Sequence, residues 1–370
     1  MGNFADLGIK KDFIKGLSEL NIITPSEIQK QVIPILLAGN CDLVGQAQTG
    51  TGKTAAFGLP LLQKINPKSK EIQALILSPT RELGQQIAKQ LFKFTKYSDK
   101  IFTESVYGGE RIEIQIKNLK RPTHIVVATP GRLLDLVRRK AVDLRRVKTV
   151  VLDEADEMLS MGFKKDLEDI LQQTKLAESK WLFSATMPQG IQEIVKNFLS
   201  PAAHKIEISP EQATNQNIEH QFAICEEGEK LALLCKFLKT QHKNRGVVFC
   251  KTKAVAIKLS KQLISKNISA DAIHGDLKQI ERDKVMRAFK NESLQILVAT
   301  DLAARGIDIE ALSYVVHYTL PDQAEYYTHR SGRTARAGRT GLSLSLVTSK
   351  ELKSLRHFEK VLTLDLNQAR

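Results

Sequence analysis

Short apolar runs rich in β-branched residues alternate with longer helical stretches from one end of the chain to the other. In the first half the runs are LVGQA from Leu43, ALILS from Ala74, IVVAT from Ile125, VVLD from Val150 and WLFSAT from Trp181. A second series follows with VVFC from Val247, ILVAT from Ile296, YVVH from Tyr314 and LSLSLV from Leu342. Strands alternating with helices predict parallel sheets covered by helices. Between the two series lies SPEQATNQ, Ser209 to Gln216, which is polar and lacks apolar periodicity, so it reads as a linker. The expected architecture is α/β: a first domain over residues 1–208, a linker over 209–216 and a second domain over 217–370, each a mostly parallel sheet flanked by helices.

An internal echo predicts two copies of one architecture. In the first half LSPT ends at Thr80 and VVAT at Thr129, a separation of 129 − 80 = 49. In the second half FCKT ends at Thr252 and LVAT at Thr300, where 300 − 252 = 48, so the copies are offset by about 172 residues. Threonines at strand tips of open α/β sheets commonly touch ligands, although a threonine there also caps the next helix.

The chain of 370 residues is long enough for two or three domains, and 42% hydrophobic content gives each a core. Its 55 Lys and Arg against 41 Asp and Glu leave a net charge of +14, which favours a polyanionic partner such as nucleic acid over an anionic membrane surface. No apolar stretch approaches the ~18 residues that cross a bilayer, and the start of the chain lacks a signal peptide's apolar segment. Asp6 stands where a myristoylation signal requires Ser or Thr. The four cysteines, Cys41, Cys225, Cys235 and Cys250, have neither metal-ligand spacing nor a disulfide pattern, so a reduced cytoplasmic setting without zinc is expected.

The candidate chemistry begins at Ala47, where the chain reads AQTGTGKT. This is a phosphate loop in which Ala47 replaces the usual first glycine. Gly50 and Gly52, with Thr49 and Thr51 between and beside them, let backbone N–H groups converge on phosphates at the start of a helix. Lys53 can reach the terminal phosphates and Thr54 can ligate Mg²⁺. About a hundred residues on, VVLDEAD puts Asp153 and Glu154 at a strand end. Asp153 suits a metal held through its water shell, and Glu154 suits orientation or deprotonation of the attacking water. A glycine-rich turn or a solvated acidic pair is ordinary by itself; the two strings in this order point to ATP hydrolysis. In the second copy the corresponding stretch near Cys225 reads CEEGEK, without paired glycines or Lys-Thr, so one ATP per chain is expected.

That second copy carries HRSGRTARAGR from His329, placing Arg330, Arg333, Arg336 and Arg339 three apart. Such spacing predicts a row of guanidinium groups near one face, either a solvated basic surface or a phosphate partner. Arg333 and Arg336 are read as arginine fingers for the terminal phosphate.

Taken together, AQTGTGKT, PTREL from Pro79, TPGR from Thr129, DEAD from Asp153, SAT from Ser184, ATDLAARGID from Ala299 and HRSGRTAR from His329 resemble the DEAD-box RNA helicases. The resemblance runs from Phe4 to about Val347, and the order and spacing of the strings are highly specific. It implies two tandem RecA-like domains and ATP-dependent unwinding of RNA. It also implies that Gln29, in the base-reading motif over residues 2–30, recognises adenine through its amide donor and acceptor. Phe4 matches an aromatic near the base or anchors the terminus in the core; Ile22 stands where the family often has an aromatic. Asp308 matches the ribose-binding carboxylate, with Arg305 in the same string. Ser184, Thr186 and His329 match residues that couple the nucleotide to RNA, although Ser-x-Thr after a strand is also a helix cap.

For RNA, the resemblance implies backbone contacts from Thr80, Arg81, Gly109, Thr129 and Arg132 in the first domain and from Thr252, Gly275, Gln279, Arg282 and Thr300 in the second. They are expected on loops on the opposite side of the domains from the nucleotide. Hydroxyls, glycines and guanidiniums suit phosphate and sugar rather than base edges, so little sequence preference is expected. Two departures from the family string, Ser331 for an aliphatic residue and Ala335 for glycine, remove no charge. After the last strand no further RNA-recognition module is legible. The expected activity is RNA-stimulated ATP hydrolysis with local, non-processive unwinding, for which a monomer suffices; an ATP-gated RNA clamp and a DNA translocase are the alternatives.

Overall fold

The computed structural model describes residues 3–48, 50–208, 217–304, 312–335 and 340–369. The chain forms two compact units, Met1–Ala213 and Thr214–Arg370. The expected linker, 209–216, lies outside the described residues.

The first unit holds strands β1 Leu43–Gln46, β2 Ala74–Leu77, β3 Thr103–Val106, β4 Ile125–Ala128, β5 Thr149–Leu152, β6 Ser179–Ser184 and β7 His204–Glu207. They form one sheet in the order β3-β4-β2-β5-β6-β1-β7, every pair parallel. The apolar runs are continuous because the sheet is covered twice. Along β2, Ala74 and Ile76 enter one core with Phe57 and Leu91, while Leu75 and Leu77 enter another with Leu133 and Met158.

The second unit holds β8 Ile218–Ile224, β9 Gly246–Cys250, β10 Ala270–Ile273, β11 Ile296–Thr300, β12 Tyr314–His317, β13 Gly341–Val347 and β14 Leu366–Gln368. Their order is β10-β11-β9-β12-β13-β8-β14, again all parallel. Adding seven to each strand number of the first sheet reproduces the second sheet, so the echo in the sequence is a duplication of topology. It extends to backbone angles: Thr80 has φ −129° and ψ 155°, and Thr252 has φ −128° and ψ 155°.

Strands β3, β7, β8, β10 and β14 were not anticipated by the apolar runs. Four of them lie at sheet edges and β8 lies next to an edge. With fewer neighbours to bury them they carry polar residues, as in HKIE for β7 and TESV for β3, and so lose the apolar signal.

Candidate nucleotide and RNA sites

In a parallel sheet every strand ends along the same edge, and the candidate residues of the first unit collect there. The phosphate loop follows β1, Asp153 and Glu154 follow β5, and Ser184 closes β6; these three strands are neighbours in the order β5-β6-β1. Thr80 and Arg81 follow β2, Gly109 follows β3, and Thr129 and Arg132 follow β4, on the neighbouring strands β3-β4-β2. The two sets occupy separate halves of one edge, because parallel strands deliver all their tips to the same side.

The phosphate loop is held by its own surroundings. Gly50 and Gly52 adopt φ of 84° and 93°, the left-handed region where a side chain would be strained. A Cβ on Gly52 would also stand 2.4 Å from Gln29 Nε2. Lys53, 6% exposed at the start of the helix Lys53–Lys64, donates from Nζ to the Ala47 carbonyl at 2.9 Å. Ala47 is buried, and its N–H donates to the Ser184 carbonyl, so a methyl group is tolerated where the pattern has glycine. Thr54 is half-buried one residue into that helix, Thr51 donates its hydroxyl to the Gln48 carbonyl, and Thr49 lies outside the described residues.

Gln29 is buried, with its amide read on both ends. Nε2 donates to the Gly52 carbonyl at 3.0 Å and Oε1 accepts from the Ser26 N–H at 3.0 Å. Each end keeps one further donor or acceptor capacity, the pair that an adenine edge requires. Ser26 adds a second tie, donating from its hydroxyl to the Thr51 carbonyl at 2.7 Å. Phe4 is 2% exposed within the core that contains Phe13 and Phe57, which is the anchoring alternative.

Asp153 is 3% exposed and faces Lys53. Burial pushes its carboxyl above the ordinary range against the pull of the Lys53 ammonium, and the neighbouring Glu154 pushes in the same direction as burial. Glu154 has φ 51° and ψ 52°, a left-handed conformation rare for a residue with a side chain. Such strain persists only where surrounding structure imposes it, and it concentrates at functional sites. Its N–H donates to Asp153 Oδ1 at 3.1 Å.

Asp156, which the sequence reading did not single out, gathers the coupling residues. Its Oδ2 accepts from the Thr186 N–H and hydroxyl, both at 2.9 Å, and its own N–H donates to Ser184 Oγ at 3.2 Å. Ser184 in turn donates to the Thr186 carbonyl at 2.7 Å. The literal DEAD spelling was the available signal, but which of its acids meets Ser184 and Thr186 depends on strand order.

In the RNA set, Thr80 is 8% exposed and its hydroxyl accepts from the Leu83 N–H at 3.3 Å, as Thr252 does from Val255 at 3.3 Å. The capping alternative is thus realised at both. Thr129 is half-buried ahead of the helix Pro130–Arg138 and makes no side-chain cap bond. Gly109 is exposed with φ 86°, and Gly275 is exposed with open space around it. In the second unit Thr252, Gly275 and Thr300 follow or end β9, β10 and β11, which repeat the arrangement of β2, β3 and β4. Gln279 donates to Asp283 at 2.7 Å and Arg282 to the Ala303 carbonyl at 2.7 Å.

The arginine row divides. Arg330 is 2% exposed, pairs with Asp301 through Nε and Nη2 at 2.5 and 2.7 Å, and donates from Nη1 to the Thr319 carbonyl. It is a structural member of the second unit, not part of an exposed row. Arg333 is half-buried in the turn after the helix Ala324–Ser331, which carries His329 beside Tyr326. Arg336, Arg339, Arg305 and Asp308 lie outside the described residues. The serine at 331 has a local explanation: its hydroxyl meets His317 Nε2 at 3.3 Å and the Ser343 hydroxyl at 2.9 Å in a buried polar cluster. Lys230 opens the helix after β8, as Lys53 opens the one after β1, but its ammonium is taken by Glu227 at 2.9 Å and Glu351 at 3.1 Å. Carboxylates of the chain neutralise that lysine.

The sequence model of the DEAD/DEAH box helicase family matches residues 26–194, and that of the helicase conserved C-terminal domain matches residues 229–338. The chain is 41% identical over 360 residues to the DEAD-box ATP-dependent RNA helicase CshA of Geobacillus kaustophilus, covering 97% of this chain and 76% of that protein. The chain belongs to the DEAD-box ATP-dependent RNA helicases. CshA of Bacillus subtilis is likewise 41% identical, over 96% of this chain and 72% of its own. Among solved structures, S. cerevisiae Dbp5 bound to RNA and ADP BeF3 superposes with a TM-score of 0.89 at 30% identity, covering all of this chain and 96% of that one. The paired seven-stranded sheets are the tandem RecA-like domains of this family.

Proposed function

We propose that this DEAD-box helicase binds one Mg–ATP on the β5-β6-β1 half of the first sheet edge and single-stranded RNA on the β3-β4-β2 half, and that binding the two together drives hydrolysis. The observation that carries the reading is the continuity of that edge: Asp153 and Arg81 follow the adjacent strands β5 and β2. In this reading Gly50, Thr51 and Gly52 present N–H groups to phosphate, Lys53 leaves the Ala47 carbonyl for the terminal phosphates, and Gln29 reads adenine with its remaining capacities. Thr49 and Asp308 complete the nucleotide contacts.

Mg²⁺ fits the residues present. Asp153 is a buried carboxylate whose charge is disfavoured until a cation arrives, and the Thr54 hydroxyl lies at the start of the same phosphate-facing helix. Among the described residues no group of three His, Cys, Asp or Glu side chains could hold a metal alone. Asp153 and Thr54 would hold a small cation together with phosphate oxygens and water. Bound there, it neutralises charge on the transferring phosphate. Glu154 orients or deprotonates the attacking water, while Arg333 and Arg336 supply positive charge to the terminal phosphate.

RNA is gripped by its backbone through Thr80, Arg81, Gly109, Thr129 and Arg132, and in the second unit through Thr252, Gly275, Gln279, Arg282 and Thr300. Asp156, with Ser184 and Thr186, relays between nucleotide and RNA, joined by Arg305 and His329. Gripping a backbone without reading bases favours short-range unwinding, or remodelling of RNA with bound protein, over processive stepping. No helix among the described residues is long and apolar enough to cross a membrane, and the functional reading is of a cytoplasmic monomer. The test is ATP turnover with and without RNA at saturating ATP. Turnover is expected to rise with RNA and not with DNA; equal turnover in all cases would defeat the proposal.

A further inference from the structure

Two of the segments assigned to RNA, those after β3 and β4, meet at one buried amide, and a third, after β2, joins them through Tyr107. Gln115, on the helix Ile112–Leu119, is 1% exposed. Its Nε2 donates to the Tyr107 carbonyl at 3.1 Å and to Glu110 Oε2 at 2.9 Å, and its Oε1 accepts from Arg132 Nη1 at 2.9 Å. Both amide hydrogens and one of two oxygen lone pairs are therefore used. Tyr107 and Glu110 bracket Gly108 and Gly109 in the loop after β3, and Arg132 lies in the first turn of the helix Pro130–Arg138 that follows β4. Arg132 closes the circuit by donating from Nη1 and Nη2 to the Glu110 carbonyl, each at 3.1 Å. The helix Arg81–Phe94 after β2 joins through Tyr107, whose ring lies 4.5 Å from the Arg81 guanidinium and whose hydroxyl accepts from Gln85 at 2.7 Å.

Burial keeps Gln115 from touching RNA, yet it determines where groups that do so stand. Arg132 spends both Nη1 hydrogens and one Nη2 hydrogen on the protein, leaving one Nη2 hydrogen and its Nε–H for a phosphate. Gly109, exposed at φ 86°, lies between Tyr107 and Glu110, the two residues of its loop that the Gln115 amide holds. Polar groups that grip a sugar-phosphate backbone need such fixed supports, because an error of an ångström loses the bond.

We propose that Gln115 is a positioning residue for the RNA grip of the first unit, locking the loop after β3 to the helix start after β4 and, through Tyr107, to the helix start after β2. The proposal rests on the RNA reading above and deepens it. Replacing the amide by the similarly shaped Gln115→Met leaves the Tyr107 carbonyl and Arg132 without this partner. The RNA concentration giving half-maximal ATPase stimulation is then expected to rise about tenfold, the change worth about 1.4 kcal/mol of binding. The KM for ATP and the turnover at saturating RNA are expected to stay within about twofold. Gln115→Glu keeps an acceptor for Arg132 but loses both donors and faces the Glu110 carboxylate, so it also weakens RNA. Adding Glu110→Gln restores a donor–acceptor pair with the roles exchanged and is expected to recover part of the loss. This pair of variants carries the test should Gln115→Met not fold.

A folded Gln115→Met whose RNA requirement equals that of the wild type would overturn the assignment alone, as would an equal rise in the KM for ATP. A wild type whose turnover ignores RNA would overturn the RNA reading itself, and this assignment with it.

Discussion

Gln29 Nε2 donates to the carbonyl of Gly52 at 3.0 Å, so the residue assigned to adenine also holds the phosphate loop. Gln29→Glu removes that donor while keeping the acceptor for Ser26. The carboxylate oxygen then faces the Gly52 carbonyl, acceptor against acceptor, although that carbonyl keeps the N–H groups of Ala55 and Ala56. Nucleotide affinity is expected to fall by at least about fivefold, with RNA affinity in the absence of nucleotide unchanged. Titration of a fluorescent ADP analogue reads the first, and filter binding of labelled RNA the second. Unaltered ADP affinity would detach Gln29 from the loop.

Glu154 and Lys53 separate chemistry from binding. Glu154→Gln retains shape but not basicity, and loss of a general base slows hydrolysis by about 10²–10⁴. ATP is expected to stay bound, trapping a long-lived complex with RNA. Lys53→Ala is expected to weaken nucleotide binding itself. Single-turnover hydrolysis and equilibrium ATP binding measured on both variants distinguish the two roles; normal hydrolysis by Glu154→Gln would reassign the base.

Arg330 serves the second unit rather than the nucleotide. In its bidentate pair with Asp301 the guanidinium is buried while the carboxylate stays 30% exposed, so removing one partner leaves the other charge only partly reached by water. Arg330→Met is expected to destabilise the second unit by about 3 kcal/mol, and the double variant with Asp301→Asn by less. Urea unfolding of the singles and the double gives the coupling; an additive cycle would mean that the pair contributes nothing.

The histidines of the second unit predict a direction for acid lability. Burial pushes the His220 imidazole down to about 4, and it holds His317 well below the ordinary range, with help from Arg330 and then His220. Both are neutral in the fold but take up a proton when unfolded below about pH 6.5. Stability is thus full above about 6.5 and declines as the pH falls towards 4, by about 1.4 kcal/mol per pH unit for each histidine. His220→Phe is expected to lower the slope in that window by about one proton, measured by denaturant unfolding at stepped pH. An unchanged slope would exclude His220 as a source.

The central strands were legible in the sequence because both their faces are buried. ALIL of β2 and TVVL of β5 are apolar at nearly every position. The edge strands were not, since HKIE of β7 and LNQ of β14 meet solvent and look like loops. The same division holds at the site. Gly52, Lys53 and Asp153 announce themselves because phosphate chemistry demands particular residues at fixed spacing. Asp156, Ser26 and Gln115 do not, because each acts through partners distant along the chain, and an acid, a hydroxyl or an amide has no signature until strand order brings those partners together. Likewise, spacing reveals which residues follow strands, while only the parallel pairing reveals that all such tips share one edge.

The most direct test of two ligands on one sheet edge is their thermodynamic coupling. RNA affinity is measured with and without a non-hydrolysable ATP analogue, and analogue affinity with and without RNA. The two ratios must agree by linkage, and each is expected to reach about tenfold or more. Ratios of one in both titrations would mean that nucleotide and RNA bind independently, and would contradict the account.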